Sequence, residues 1–460
     1  MVMTLKPNPK EDESMKRFLL VLLAVLFTLS AMFAGAGKVI VQAEQETLGS
    51  QPVTITFWHS ASDDAGPLVD KYVKEFNENN EYQITVNAIY QGQYSDATTL
   101  MKTILSAENY KELPDIMQLD ATGKLDYYNS GRAFSINDAI EYFDEDITED
   151  YLEVALGNWQ FSGSQLGLPF ATSTTITYYN KDVLKAAGWE EGPDTFADII
   201  QLSEDMKANG IIVPAYGAVP NTPTLANWLG QLGSYVVNNS NGADDTATAL
   251  ECIENKSLET FLTEWKAMYD AGALQNESLS TNQFVAGEVA ILTSSSSSVS
   301  SLLSKVGDSF EVGASTFLRV NSSADYGATV SGSCLVMFDS EDALKKAATW
   351  EFIKYMTGEA VQVDFAAGTG YTPGYKAAVE NEDYKNLLAT TPQFAVAPEQ
   401  LAKTPASMRS VTVGPTVDFY YAIQNEVTDM LNNGATVDDT IVSMEESLQG
   451  LLDNYLRMNP

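Results

Sequence analysis

The sequence predicts an α/β protein divided into two or more lobes. Once an N-terminal export segment is set aside, about 417 residues remain, more than one hydrophobic core usually supports. Through the first part of that remainder, alternating β-rich runs and amphipathic stretches follow one another in the order β-α-β-α-β, the pattern of a doubly wound lobe. Further on, an alternating run from Ser173 to Tyr179 passes through Tyr178-Tyr179-Asn180-Lys181-Asp182 directly into a short helix, Val183 to Ala187, closed by Gly188.

The export segment comes first. Lys16 and Arg17 form a basic start, Phe18 to Phe33 is apolar, and Ala34-Gly35-Ala36 and Val41-Gln42-Ala43 supply small residues for cleavage. The apolar run is about 16 residues, short of the ~20 that span a bilayer, so residues 1–43 read as a removable signal. Val53 to Trp58 then alternates as a strand. Leu68, Val69, Tyr72, Val73 and Phe76 share one helix face. Ile84 to Ile89 is a second strand and Ala97 to Ser106 a second helix. Pro114 to Leu119 is apolar enough for a strand buried in a parallel sheet.

In the second half, Thr195-Phe196-Ala197-Asp198 reads as a capping box that opens a helix to Asn209, stopped at Gly210. Leu258 to Tyr269 is helical, and Ala286 to Ile291 is a turn feeding a strand. The five serines Ser294 to Ser298 stand between that strand and a helix containing Leu302 and Leu303. Such a run commonly marks a linker; between a strand and a helix it also supplies hydroxyls and a helix N-terminus suited to an anion. Thr329 to Phe338 is a strand, Ser340 to Met356 a helix, and residues 368–374 an irregular loop. Thr416 to Leu431 and Thr436 to Leu456 are closing helices.

Composition excludes several functions. The chain holds 62 acidic and 26 basic residues, a net charge of −36; removing the five basic and three acidic residues of 1–43 makes it −38. Such a surface repels nucleic acid and anionic membranes, and an anionic ligand must be met by a few placed donors. His59 is the single histidine, and Cys252 and Cys334 are too few and too far apart for a metal set. They read as isolated thiols. Gly368-Thr369-Gly370 is half of a dinucleotide fingerprint, and Asp144-Glu145-Asp146 with Glu149 and Asp150 lacks the glycine of a calcium loop. No cofactor, metal or catalytic set emerges; a pair of carboxylates in a secreted glycosidase is a remote alternative. Arginine is scarce after residue 43. Arg132 and Arg319 read as surface-loop residues, Arg457 sits on the last helix, and Arg409 lies in a Ser/Thr/Val segment with no helical pattern.

Particular stretches carry a family resemblance. They are Phe57-Trp58-His59-Ser60, Tyr90-Gln91-Gly92-Gln93-Tyr94, Leu168-Pro169-Phe170 with Ser173-Thr174, Tyr178 to Asp182, Gly370-Tyr371-Thr372-Pro373 and Met408-Arg409. The set resembles the extracellular solute-binding proteins of ABC importers, in the family that includes maltose-binding protein. The match is closest to its glycerol-3-phosphate-binding subfamily. The resemblance implies a two-lobed periplasmic-binding-protein fold (type II) with discontinuous lobes and an interlobe ligand cleft. Lobe one would hold 51–172 plus 329–368, lobe two 173–328 plus 369–460, with crossovers near 171–174, 326–330 and 367–371. It also implies a monomer outside the cell membrane, periplasmic or at the cell surface, that carries a small molecule to the membrane subunits of an ABC permease and binds no nucleic acid.

Carried over by position, the resemblance implies ligand contacts from Tyr94, Asp120, Ser173, Ser295, Gly332, Tyr371 and Arg409. Tyr94 would offer a phenol, Asp120 would accept from ligand hydroxyls, the Gly332 N–H would donate, and Arg409 would meet an anionic group. Two departures stand out. Asp120 replaces a glutamate of the subfamily, and Tyr216-Gly217-Ala218-Val219-Pro220-Asn221-Thr222-Pro223 lacks the subfamily's tryptophan pair, with Trp228 the nearest aromatic. Both enlarge the site. The expected ligand is therefore glycerol-3-phosphate or a glycerophosphodiester, with a mono- or oligosaccharide as the alternative.

Overall fold

In the computed structural model, which describes residues 48–405 and 408–459, the period-two pattern of the first strand sets the layering. Successive side chains of β1 (Val53–His59) point to opposite faces, so Phe57 joins one apolar cluster and Trp58 another. β1 pairs in parallel with β2 (Ile84–Tyr90) and β3 (Ile116–Asp120). Helices Ala65–Asn79 and Tyr94–Ser106 make the connections, and the first buries Val69, Tyr72, Val73 and Phe76, as its spacing predicts. The expected signal, residues 1–43, lies outside the described residues. No described helix is long and apolar enough to cross a membrane.

Besides a two-residue strand, Ala133–Phe134, four strands extend this sheet: β4 (Leu168–Asn180), β5 (Ile291–Ser295), β6 (Val312–Ser315) and β7 (Val330–Phe338). β7 runs antiparallel to β3. β4 pairs with β7 through Leu168 to Thr174, then changes partners, and Thr175 to Asn180 pair with β5 and β6. At the end of β4 the Asn180 side chain accepts from the N–H groups of Asp182 and Val183, both at 3.1 Å. That cap starts helix Lys181–Ala186 and explains why Tyr-Tyr-Asn-Lys-Asp converts strand to helix without a loop. Gly188 follows at φ +91°.

The core is divided along the same line. Two clusters, built around Phe57, Phe76 and Phe352 and around Trp58, Met101 and Trp159, draw their buried residues from 53–171 and 334–365. Two others draw theirs from 176–328 and 397–452. In the larger of these, Trp228 packs on Trp265 and Phe261 with ring centroids 4.9 and 5.2 Å away. Cys252 belongs to this cluster and Cys334 to that of Trp58; both thiols are free and buried.

Arg319 departs from expectation. It is buried rather than placed on a surface loop. Its guanidinium forks onto the Asp194 carboxylate through Nε, at 3.1 Å, and Nη2, while Nη1 donates to the Ser322 and Ala324 carbonyls. An arginine with four of its five donors engaged can be buried, and the apolar neighbours Phe317, Leu318 and Val320 draw it in.

Trp228→Ala should destabilise the protein by about 3–5 kcal/mol, measured as a lower urea midpoint at unchanged slope. A loss below about 1 kcal/mol would show that this aromatic cluster does not anchor its part of the fold.

Candidate functional site

Open α/β sheets bind ligands beyond the carboxyl ends of their parallel strands. Here those ends are His59, Tyr90 and Asp120. The antiparallel β7 enters at the same edge: Ser333 stands opposite Asp120, Gly332 opposite Thr172 and Ser331 opposite Ser173. Gly332 has φ +95°, and a Cβ there would stand 1.8 Å from the Ala171 carbonyl oxygen. Only glycine lets the strands approach so closely. The Ser173 and Ser331 hydroxyls meet at 3.0 Å.

Tyr94 is delivered by a helix that starts earlier than its apolar pattern suggests. Gln93 and Asp96 form a reciprocal cap, so Tyr94 becomes the first helical residue rather than part of a loop. Its phenol accepts from Gln118 Nε2 at 3.0 Å; the same amide donates to Ser333 Oγ at 2.8 Å, and its Oε1 accepts from the Ser60 N–H at 3.0 Å. Burial and the neighbouring Tyr371 and Asp120 hold the Tyr94 phenol well above its ordinary value, so it stays protonated. Asp120 accepts from Thr122 Oγ1 at 2.7 Å, and burial raises its pKa.

Tyr371 stacks on Phe365, with ring centroids 5.3 Å apart, and its hydroxyl interacts with those of Tyr94 and Ser297. Ser295 Oγ meets Ser297 Oγ at 2.8 Å and accepts from the Ser297 N–H. Tyr94, Tyr371 and the serine run thus form one continuous polar surface beside Asp120 and Ser333.

Arg409 arrives from outside any regular element. Asn241 Nδ2 holds its carbonyl at 2.7 Å, and the next residue, Ser410, donates to the Val330 carbonyl at the start of β7. Nη1 donates to the Gly157 carbonyl at 3.0 Å, and among the described residues Arg409 has no ion pair. The next carbonyl, that of Asn158, accepts from Lys124 Nζ at 3.2 Å. Burial lowers the Lys124 pKa to about 8, and the Arg409 charge adds to the effect.

The structure therefore gathers Tyr94, Asp120, Ser173 and Gly332 on one ledge, links Tyr371 and Ser295 to it through Ser297, and sets Arg409 at its β7 side. Two hydrogen bonds join the segments that hold the first pair of clusters to those that hold the second: Arg409 to Gly157, and the Ser162 N–H to the Ala243 carbonyl at 2.9 Å. A surface cavity of about 690 Å³ lies elsewhere, lined by Glu75, Tyr82, Lys354 and Tyr355 among others. Trp228 supplies no wall to the site, because its ring is buried among Phe196, Phe261, Trp265 and Phe317. Sequence reasoning missed Gln118, Ser333 and Lys124. A polar Gln118 inside the apolar run Pro114 to Leu119 was the available signal, since buried polar groups need partners.

Below pH 8 Lys124 is charged in both folded and unfolded chains, and the folded state carries the full burial cost. The fall from 10.5 to about 8 corresponds to about 3 kcal/mol. Between those values the unfolded chain binds more protons, so stability rises with pH. Lys124→Met should raise the denaturation free energy of the unliganded protein at pH 7, with the gap to wild type narrowing from pH 8 to 10.5. A gap independent of pH, or a destabilised variant, would refute this account.

The profile of bacterial extracellular solute-binding proteins matches residues 71–392. The sn-glycerol-3-phosphate-binding periplasmic protein UgpB of Shigella flexneri is 26% identical over 363 residues, covering 76% of this chain and 81% of that protein. Among solved structures, UgpB of Mycobacterium tuberculosis in complex with glycerophosphocholine superposes with a TM-score of 0.72 at 20% identity, over 88% of this chain and 100% of that one. The cyclic alpha-maltosyl-1,6-maltose binding protein of Arthrobacter globiformis superposes with a TM-score of 0.73 at 20% identity, again over 88% and 100%.

Proposed function

We infer the ligand class from one premise: the chain belongs to the bacterial extracellular solute-binding proteins. It is a two-lobed, non-enzymatic component of an ABC importer that acts outside the cytoplasmic membrane, binding a small molecule and delivering it to the permease. Within that role, it captures glycerol-3-phosphate or a glycerophosphodiester between its lobes, as a monomer. The lobes are 51–172 plus 329–368, and 173–328 plus 369–460. The division of the buried clusters supports these bounds, as does the Thr372 N–H donating to the Thr172 carbonyl at 2.7 Å beside the partner change in β4. A hinge there would close the lobes on the ligand.

One observation carries the phosphate reading. In a chain of 62 acids, Arg409 reaches among the described residues only a neutral carbonyl, whereas Arg319 is neutralised by Asp194. A guanidinium has five N–H donors in a fork that fits phosphate. Tyr94, Tyr371, Ser173, Ser295 and the Gly332 N–H add neutral donors, and Asp120 accepts from the glycerol hydroxyls. The relative's name points the same way. A sugar is the second reading, favoured by the sugar named for the Arthrobacter neighbour and by the absence of a tryptophan from 216–223.

Calorimetry with glycerol-3-phosphate, glycerophosphocholine and maltose separates the two. Phosphate esters should bind wild type, and Arg409→Ala should weaken them by roughly 100-fold, the loss of a desolvated charge partner. Binding of maltose alone, or esters held equally well by the variant, would defeat the phosphate reading.

A further inference from the structure

The ground behind Arg409 holds more donors than acceptors. Lys124 opens helix Lys124–Tyr128, one turn beyond Asp120, and is 2% exposed. Its Nζ has a single acceptor, the Asn158 carbonyl, and among the described residues no carboxylate pairs with it. Arg409, coming from the far end of the chain, uses the adjacent carbonyl of Gly157. Two cations thus converge on consecutive peptide groups. The buried Asn158 Nδ2 and Trp159 Nε1 beside them have no hydrogen-bond partner among the described residues. Buried donors without acceptors and like charges without a counter-ion each cost stability. A bound anion relieves both at once.

We propose that Lys124 is the second cation of the ligand site and, with Arg409, selects the dianionic phosphate of a monoester over the single charge of a phosphodiester. The proposal rests on the phosphate reading of the site and narrows it. A phosphomonoester carries close to two negative charges at neutral pH, a diester one. Two cations match the first; Arg409 alone suffices for the second. A purely structural role for Lys124, holding the carbonyls at the end of helix Glu153–Gly157, predicts instead that its loss affects both ligands alike.

Isothermal titration of wild type and Lys124→Met against glycerol-3-phosphate and glycerophosphocholine tests this, with melting temperatures recorded in inorganic phosphate. The variant should lose roughly tenfold or more in affinity for glycerol-3-phosphate and under about threefold for glycerophosphocholine, because one charge pair is removed from the first complex only. Inorganic phosphate should raise the melting temperature of wild type and not of the variant. Esters that bind both proteins with the same affinities, or an equal loss for both esters, would overturn the role of Lys124 and leave the phosphate reading standing. If no ester binds but inorganic phosphate still stabilises wild type alone, the anion subsite stands and the ester reading falls. If nothing binds, both fall. Lys124→Gln gives the same comparison should the methionine variant not fold.

Discussion

Everything in this molecule depends on the change of partners along β4. Backbone donors and acceptors in a buried strand must be paired, and here one uninterrupted strand meets that demand with two different sets of neighbours, β7 up to Thr174 and β5 with β6 after it. Thr174, at the change, is tied to both sides: its hydroxyl reaches the Ala328 and Thr329 carbonyls and accepts from Gln400 Nε2 at 2.9 Å. Two separate cores can then form on one backbone, and the polar groups between them stay in register. Ser173 and Gly332 owe their positions to this strand pairing, and Ser295 does through its pairing with Thr175.

Around that axis the protein concentrates polar groups where an ordinary α/β core would be apolar. Gln118 is the centre of the arrangement. It is buried in a parallel strand and answers for three partners from distant parts of the chain, Ser60, Tyr94 and Ser333. Fully satisfied buried amides rigidify what they touch, so the Tyr94 phenol is held in one orientation. Lys124 is the opposite case: a charge with one neutral acceptor. A satisfied amide and an unsatisfied ammonium, six residues apart, divide the work between orientation and attraction.

The regular elements were legible because their signals are local. The face Leu68 to Phe76, the alternation of β1, the capping box at Thr195 and the asparagine cap at Asn180 depend on neighbours within a few residues. The site was legible in part, and through likeness rather than pattern: nothing near Gly332 in the sequence reveals the Ala171 oxygen it must clear. Arg319 and Lys124 were missed for the same reason. Whether a cation is solvated or buried is decided by partners far off in the chain, Asp194 for one and the Asn158 carbonyl for the other. Trp228 was the nearest aromatic by number, yet its ring serves a core that only the folded topology defines.

The separate burial of Cys252 and Cys334 has a bearing on the life of an exported chain. Each thiol is enclosed in a different apolar cluster, and burial pushes the Cys252 thiol up to about 12, leaving almost no nucleophilic thiolate. Held in separate cores, the two thiols cannot meet in the folded chain, so its folded state holds no disulfide between them.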